Sequence, residues 1–204
     1  MQLLLNQVLG TIFQLFLFTV IPFGWWRIHP RKEKESFGHW LGLKRVTRSR
    51  RLWQQSFLIF IVFALNGYLL LKVLPQQLTL ANAKFQQLDG LTIIAIIFYC
   101  LLQTALAEEI FFRGFLTKRF IAKWGFVKGN VLQALLFGLL HGLLTFSATE
   151  NIFVWLLIIL FPTAVGFAFG YLNERVADGS IIPSWLIHAG ANLFSTLLVV
   201  FHLY

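Results

Sequence analysis

Charged residues are scarce in this chain, since they make up only 12% of its 204 residues and only eight residues are acidic. Hydrophobic residues, by contrast, make up 58%. A soluble domain of this size could not bury so much apolar surface, so the composition excludes that class and predicts an integral membrane protein. Cysteine is nearly absent as well, and the single Cys100 excludes an internal disulfide.

The basic residues are more numerous, and they are clustered. The chain has 17 Lys and Arg residues and a formal net charge of +9. Nine of them lie between residues 27 and 51, and five more lie between residues 113 and 128. Basic residues concentrated in alternate loops follow the positive-inside rule of membrane proteins. The charge therefore predicts a membrane topology and argues against nucleic acid as a partner.

The apolar stretches predict an all-α fold, a polytopic helical bundle with about six transmembrane helices. Each stretch has the roughly 17–25 residues that a hydrocarbon core of ~30 Å requires. The six predicted spans are Leu3–Trp26, Leu52–Leu74, Leu91–Phe112, Asn130–Phe146, Ile152–Leu172 and Ile181–Leu203. No repeat or linker interrupts them, so residues 1–204 are interpreted as a single integral membrane domain.

The order of the spans also predicts an orientation. The first span lacks a basic n-region and a small-residue cleavage site, which argues against a signal peptide. The loop Arg27–Arg51 then faces the cytoplasm, as do Arg113–Lys128 and Asn173–Ser180, whereas Pro75–Gly90 and Ser147–Asn151 face outward. The compact chain without a targeting extension predicts a bacterial cell membrane. Inside the first basic loop, four apolar residues predict a short interfacial helix: Phe37, Trp40, Leu41 and Leu43.

The third span carries two adjacent carboxylates, Glu108 and Glu109, and a cation at Arg113. An ionisable group at membrane depth costs about 2.5–3.5 kcal/mol on insertion scales, so such groups are usually functional. Residues four apart on a helix are neighbours, and a glutamate preceding a cation at this spacing is the favourable order. Glu109 is therefore predicted to pair with Arg113, while Glu108, about 100° around the helix, faces another partner. Solvation of both carboxylates at the interface is the alternative.

Two later spans carry one histidine each. His141 follows Phe137 by four residues and lies between Gly138 and Gly142, small residues that permit close helix approach. His188 and Asn192 share one helix face at the same spacing. Each motif alone is also compatible with ordinary hydrogen bonding between helices. Three polar motifs in three spans are better explained by a shared site.

These motifs resemble those of the CPBP family, which includes type II CAAX-prenyl endopeptidases, bacteriocin-processing proteases and bacteriocin self-immunity proteins. The family pattern is EExxxR, FxxxH and HxxxN or HxxxD on separate transmembrane helices. In this chain it stands at Glu108-Glu109-x-x-x-Arg113, Phe137-x-x-x-His141 and His188-x-x-x-Asn192, without departure. The resemblance covers a motif-bearing core of about residues 91–203. It implies a membrane endopeptidase with a glutamate-activated water and a His/Asn oxyanion hole.

The residues themselves favour the same chemistry. The sequence shows no Ser-His-acid arrangement, and Cys100 has no nearby histidine, so covalent catalysis has little support. Glu108 and His141 can instead activate water, with Glu108 as general base, while His188 and Asn192 donate hydrogen bonds to the developing oxyanion. Glu109 and Arg113 then have supporting roles, and Phe137 packs beside them. The expected partners are a peptide or membrane-protein substrate and the lipid bilayer, with no cofactor.

Two alternatives remain open at this point. Glu108, His141 and His188 are acceptable zinc ligands, although there is no HExxH motif and Asn192 is a poor zinc ligand. The other alternative is a membrane protein that does not cut peptides and binds a partner, for example an immunity protein that binds a bacteriocin or its receptor. Retention of all the polar motif positions favours an enzyme.

Overall fold

The structure is a computed structural model that describes residues 1–29, 35–74, 80–146 and 151–203. These residues form seven helices and no strand: α1 Gln2–Ile28, α2 Phe37–Leu41, α3 Arg50–Val73, α4 Gly90–Trp124, α5 Phe126–Thr145, α6 Ile152–Arg175 and α7 Ile182–Val200. All but α2 are long and apolar enough to cross a membrane. The predicted all-helical, multi-pass membrane fold is confirmed. Parts of the predicted loops Arg27–Arg51, Pro75–Gly90 and Ser147–Asn151 lie outside the described residues.

Helix α4 continues well beyond the predicted end of the third span at Phe112. It begins after Asp89, whose carboxylate accepts a hydrogen bond from the backbone N–H of Thr92 at 2.8 Å, and this bond lowers the pKa of Asp89. The helix ends at Gly125, which has a φ of +75°. Its 35 residues make it roughly 50 Å long, which exceeds the ~30 Å core. Lys and Arg after Phe112 end the apolar stretch but not the helix, because both are good helix formers.

Two stretches of α4 are π-helical, Phe98–Leu106 and Glu109–Thr117. Such stretches are rare and occur frequently at functional sites. In the first, the carbonyl of Leu101 accepts a hydrogen bond from the indole N–H of Trp185 on α7 at 2.7 Å. Glu108 lies at the junction that separates the two stretches.

Helices α5 and α6 pack closely, as the small residues predicted. A Cβ atom on Gly138 would lie 2.0 Å from Thr163 Oγ1 and 2.3 Å from the backbone oxygen of Ile159. The backbone oxygen of Gly142 accepts a hydrogen bond from the indole N–H of Trp155 at 2.7 Å. The small residues therefore let α5 approach α6 closely beside the position of His141.

Several basic residues gather at one end of the bundle, called here the basic end. It consists of α2 with the segment that follows it, the start of α3, the end of α4 with the start of α5, and the connection from α6 to α7. Lys118 on α4 binds Glu174 on α6 at 2.6 Å, and Ile181 N–H donates to the carbonyl of Gly42 at 2.9 Å. The predicted short helix is present as α2. Its Leu41 is only 1% exposed, because it packs against α4 at Gly114 rather than against lipid.

Helix α3 lies along α6 and α7 and completes the bundle on that side. Leu52, near its start, belongs to a buried apolar cluster with Val165 and Phe169 of α6 and Ile187 of α7. One turn apart on α3, Phe60 and Phe63 pack against this cluster. This seam between α3 and α7 leads from the basic end towards the polar residues described next.

Candidate active site

Glu109 and Arg113 form the ion pair that their spacing predicts. Arg113 Nη1 lies 3.2 Å from Glu109 Oε1, and both side chains are fully buried. None of the three guanidinium nitrogens of Arg113 makes an aligned hydrogen bond with a described residue, so charge rather than hydrogen-bond geometry holds the pair. The guanidinium carbon lies 4.1 Å from the ring centroid of Phe137 and 5.2 Å from that of Phe169. Phe137 thus covers a buried cation, which gives its predicted packing role a physical basis.

The same carboxylate holds His188 in place. Glu109 Oε1 lies 3.1 Å from His188 Nδ1, and Glu109 Oε2 accepts a hydrogen bond from the Ser184 hydroxyl at 2.6 Å. Ser184 in turn accepts a hydrogen bond from Asn173 Nδ2 at 2.7 Å. All the residues in this series of hydrogen bonds are buried. Glu109 therefore connects Arg113 to the imidazole and fixes the orientation of its ring.

Sequence reasoning missed Ser184 and Asn173. Ser184 precedes His188 by four residues, just as His188 precedes Asn192, so all three lie on one face of α7. That repeat of polar residues was the available signal. Asn173 gave no comparable signal, since it lies near the end of α6 and had been assigned to a loop.

Glu108 lies on the other side of the imidazole. Its Oε2 atom is 3.8 Å from His188 Nε2, which is too long for a direct hydrogen bond. This oxygen is buried and accepts no hydrogen bond within the described part of the chain. The ring of His188 thus stands between two carboxylates, bound at Nδ1 by Glu109 and facing Glu108 at Nε2. Glu108 has an acceptor oxygen available for another molecule.

A cavity of about 270 Å³ lies beside this cluster, and His141, His188 and Asn192 all line it. Its other walls are mostly apolar side chains from α3 and α6, including Phe63 and Phe161. Glu108 is not part of the cavity wall, but it contacts the wall residue His188. No contact joins Glu108 to His141 among the described residues. Three of the four predicted catalytic residues therefore line one cavity, and the fourth, Glu108, lies beside one of them.

Hydrogen bonds orient the two remaining polar side chains of the cavity. His141 Nδ1 lies 2.8 Å from the carbonyl oxygen of Phe137. Because a carbonyl only accepts, Nδ1 carries the proton, and in the neutral ring Nε2 is an acceptor. Asn192 Nδ2 donates to Thr104 Oγ1 at 2.8 Å, which fixes the amide and leaves its second N–H unused by this bond.

The described residues contain no group of three His, Cys, Asp or Glu side chains arranged to hold a metal ion. The three side chains proposed as zinc ligands meet only pairwise, at the contact of Glu108 with His188. The zinc alternative therefore has to be tested by measuring metal content.

Comparison with known proteins decides the family. The family model described as type II CAAX prenyl endopeptidase Rce1-like matches residues 90–194, which is just over half of the chain. The chain belongs to this family. The match begins at the first residue of α4 and includes every residue of the cluster described above, and it is consistent with the CPBP resemblance. No curated protein and no solved structure matches this Rce1-like chain.

Proposed function

We propose that this protein is an intramembrane endopeptidase that hydrolyses peptide bonds with water activated by Glu108. The observation that carries the proposal is the free acceptor oxygen of Glu108, buried beside a histidine whose other nitrogen is already fixed. A general base needs an acceptor within reach of a water proton and a surrounding that keeps it in place. Membership of a protease family supports the same assignment.

In the proposed reaction, water enters the cavity lined by His141 and His188 and meets Glu108 beside His188. Glu108 takes a proton from the water, and the water oxygen bonds to the carbonyl carbon of the scissile peptide. The carbonyl oxygen becomes an oxyanion, and the amine leaves after it receives a proton from Glu108. No covalent intermediate with the protein forms, and no cofactor takes part.

The oxyanion is stabilised by Asn192 and His188 in this proposal. Asn192 offers the N–H that is not bound to Thr104. His188 can donate from Nε2 only as the imidazolium, because its Nδ1 proton is directed at Glu109. Glu109 holds the Nδ1 side of that ring, and Arg113 in turn holds Glu109. The ion pair therefore supports the oxyanion site from one residue away.

The proposed setting is a bacterial cell membrane, with the basic end in the cytoplasm and the site towards that side. The substrates proposed are peptides or membrane proteins that reach the cavity at membrane depth. Nothing in the cavity selects a prenyl group, so prenylated CAAX proteins are one class of substrate among several.

The test compares Glu108→Gln with wild type, since the amide keeps the shape and removes the base. We expect peptide release from membrane substrates to fall by about 10²–10⁴-fold, measured by peptidomics of membranes from cells that express each form. Glu35→Gln, a carboxylate beside α2 at the basic end, is the control and should leave release unchanged. Near-normal release by Glu108→Gln with an unchanged melting temperature would reject the mechanism. Equal release by cells that express wild type, Glu108→Gln or neither form would favour the alternative of a membrane protein that binds partners without cutting them.

A further inference from the structure

A second and larger cavity lies between α3 and α7, nearer the basic end than the active-site cavity. It has a volume of about 970 Å³ and runs between the first turns of α3 and the first turns of α7. It shares no lining residue with the active-site cavity. It is called here the α3–α7 groove, and no step of the proposed reaction uses it.

The groove is apolar and opens sideways. Its floor contains Leu52 and Ile187, which are 8% and 6% exposed, whereas Trp53, Phe57 and Leu186 at its rim are more than half exposed. All five lie on helices that are long and apolar enough to cross a membrane. The opening therefore faces the hydrocarbon chains of the bilayer, and a long apolar chain can lie along the floor.

Two arginines stand at the mouth of the groove. Arg45 and Arg48 line it from the segment that precedes α3, and both are exposed. Neither takes part in an ion pair with a described residue, and no acidic residue lines the groove. A planar guanidinium matches a phosphate group and binds it through two parallel hydrogen bonds. The mouth is therefore complementary to an anion held at the membrane surface.

We propose that the α3–α7 groove binds an anionic phospholipid, with an acyl chain along its floor and the phosphate at Arg45 and Arg48. An amphiphile with one anionic head and an apolar chain satisfies both halves of the site at once. A zwitterionic lipid fits the floor equally well but brings a cation to two unpaired arginines. Basic pockets between membrane helices recognise anionic head groups in this way.

Bound lipid would also support the seam that forms the active-site wall. Ile187 on the groove floor directly precedes His188, and Phe60 in the groove is one turn from Phe63 in the cavity. A filled groove therefore holds α3 against α7 at the level where the imidazole is anchored. The lipid site does not depend on the proposed peptidase mechanism.

Trp53 provides the probe, because it lines the groove. Brominated phosphatidylglycerol and brominated phosphatidylcholine are compared as quenchers, each at the same fraction in bilayers of unbrominated phosphatidylcholine. The Trp53 signal is the difference between wild type and Trp53→Phe. We expect stronger quenching by the anionic lipid, and we expect Arg45→Gln with Arg48→Gln to weaken its binding roughly 5- to 30-fold.

Two further variants separate the groove from general attraction to a negative surface. Lys123→Gln with Lys128→Gln removes two charges at the same basic end and should leave the Trp53 signal unchanged. Ser56→Phe places bulk in the groove without adding a second indole and should reduce quenching by both lipids, with melting temperature as the check on folding. Equal quenching by the two lipids, or equal loss in both double variants, would overturn the proposal. So would displacement of the anionic lipid by inorganic phosphate alone or by a prenylated peptide.

Discussion

The first two spans and the last four spans of this protein are built differently. Helix α3 has only two buried residues, Leu52 and Leu71, whereas half of the apolar window of α7 is buried. The family match begins only at Gly90. The later helices thus contain the packed core and the polar cluster. The earlier ones form an outer wall, and through Phe63 in the cavity α3 limits what reaches the site.

Helix α1 is attached to that core through polar as well as apolar contacts. Gln7 donates a hydrogen bond to Gln103 on α4, and Gln103 donates to Gln14 at 3.3 Å. Lys84 adds a hydrogen bond to Gln7 at 2.8 Å. The glutamines that make α1 the least apolar of the predicted spans therefore have a specific use, since a polar contact in hydrocarbon substitutes for an apolar interface.

The largest effect on stability is expected from Arg113→Ala. It leaves the fully buried Glu109 without its cation, and breaking a buried pair costs about 3–5 kcal/mol. The melting temperature in detergent should fall strongly, and activity should fall with it. Arg51→Ala on the outer wall removes only an exposed arginine bound to Tyr171 and should change stability by about 0.5 kcal/mol or less.

Asn192→Ala is compared with Arg113→Ala, because it should lower activity without lowering stability. It removes a proposed oxyanion donor from a partly buried position, so activity should fall by about 10²–10³ while the melting temperature stays close to wild type. If Arg113→Ala melts like wild type, the pair is solvated and its supporting role is wrong.

A smaller loss is expected from Ser184→Ala. The hydroxyl donates to Glu109 at 2.6 Å in a fully buried position, and a hydrogen bond to a charged group contributes about 1.5–3 kcal/mol. Ser184→Thr keeps the hydroxyl and should recover part of the loss in thermal denaturation. Ser195→Ala, on the same helix at the half-buried cavity wall, is the control. Equal melting of Ser184→Ala and Ser195→Ala would show that Glu109 does not need this donor.

Glycine substitutions compare the two regions directly. Gly138→Ala forces a methyl group into the α5–α6 contact at Thr163 and should destabilise the protein by about 1–3 kcal/mol. Gly24→Ala on α1 meets nothing within 4 Å and should be neutral or slightly stabilising. Both are read from chemical denaturation in the same detergent. Similar destabilisation by both changes would mean that α1 packs as tightly as the core.

The smallest effect is expected from removal of metal. If Glu108 activates water without zinc, strong chelators should leave peptide hydrolysis unchanged, and the purified protein should contain far less than one zinc per chain. Metal analysis by mass spectrometry before and after chelation provides the measurement. Zinc present at one per chain, lost with activity and restored with it, would replace the glutamate mechanism by a metal mechanism.

The sequence predicted the spans and the ion pair because both follow from local spacing. Apolar length gives the helices, and four-residue spacing gives Glu109 with Arg113. The end of α4 was not predictable in this way, since Lys118 and Arg119 end the apolar pattern while the helix continues through them. The placement of Glu109 against His188 was also beyond local reasoning. That contact depends on how α4 and α7 pack, and a one-dimensional pattern does not specify a helix rotation.

The separation of Glu109 and His188 along the chain has a consequence for biosynthesis. The two residues are 79 positions apart, and the second lies on the last helix. At roughly 5–20 residues per second, a translating ribosome needs about 4–16 s to cover that distance. During that interval the Glu109 carboxylate can pair with Arg113 but not yet with His188. We therefore expect the newly made third span to stay beside the insertion machinery, or near earlier helices, until α7 is made and His188 binds Glu109.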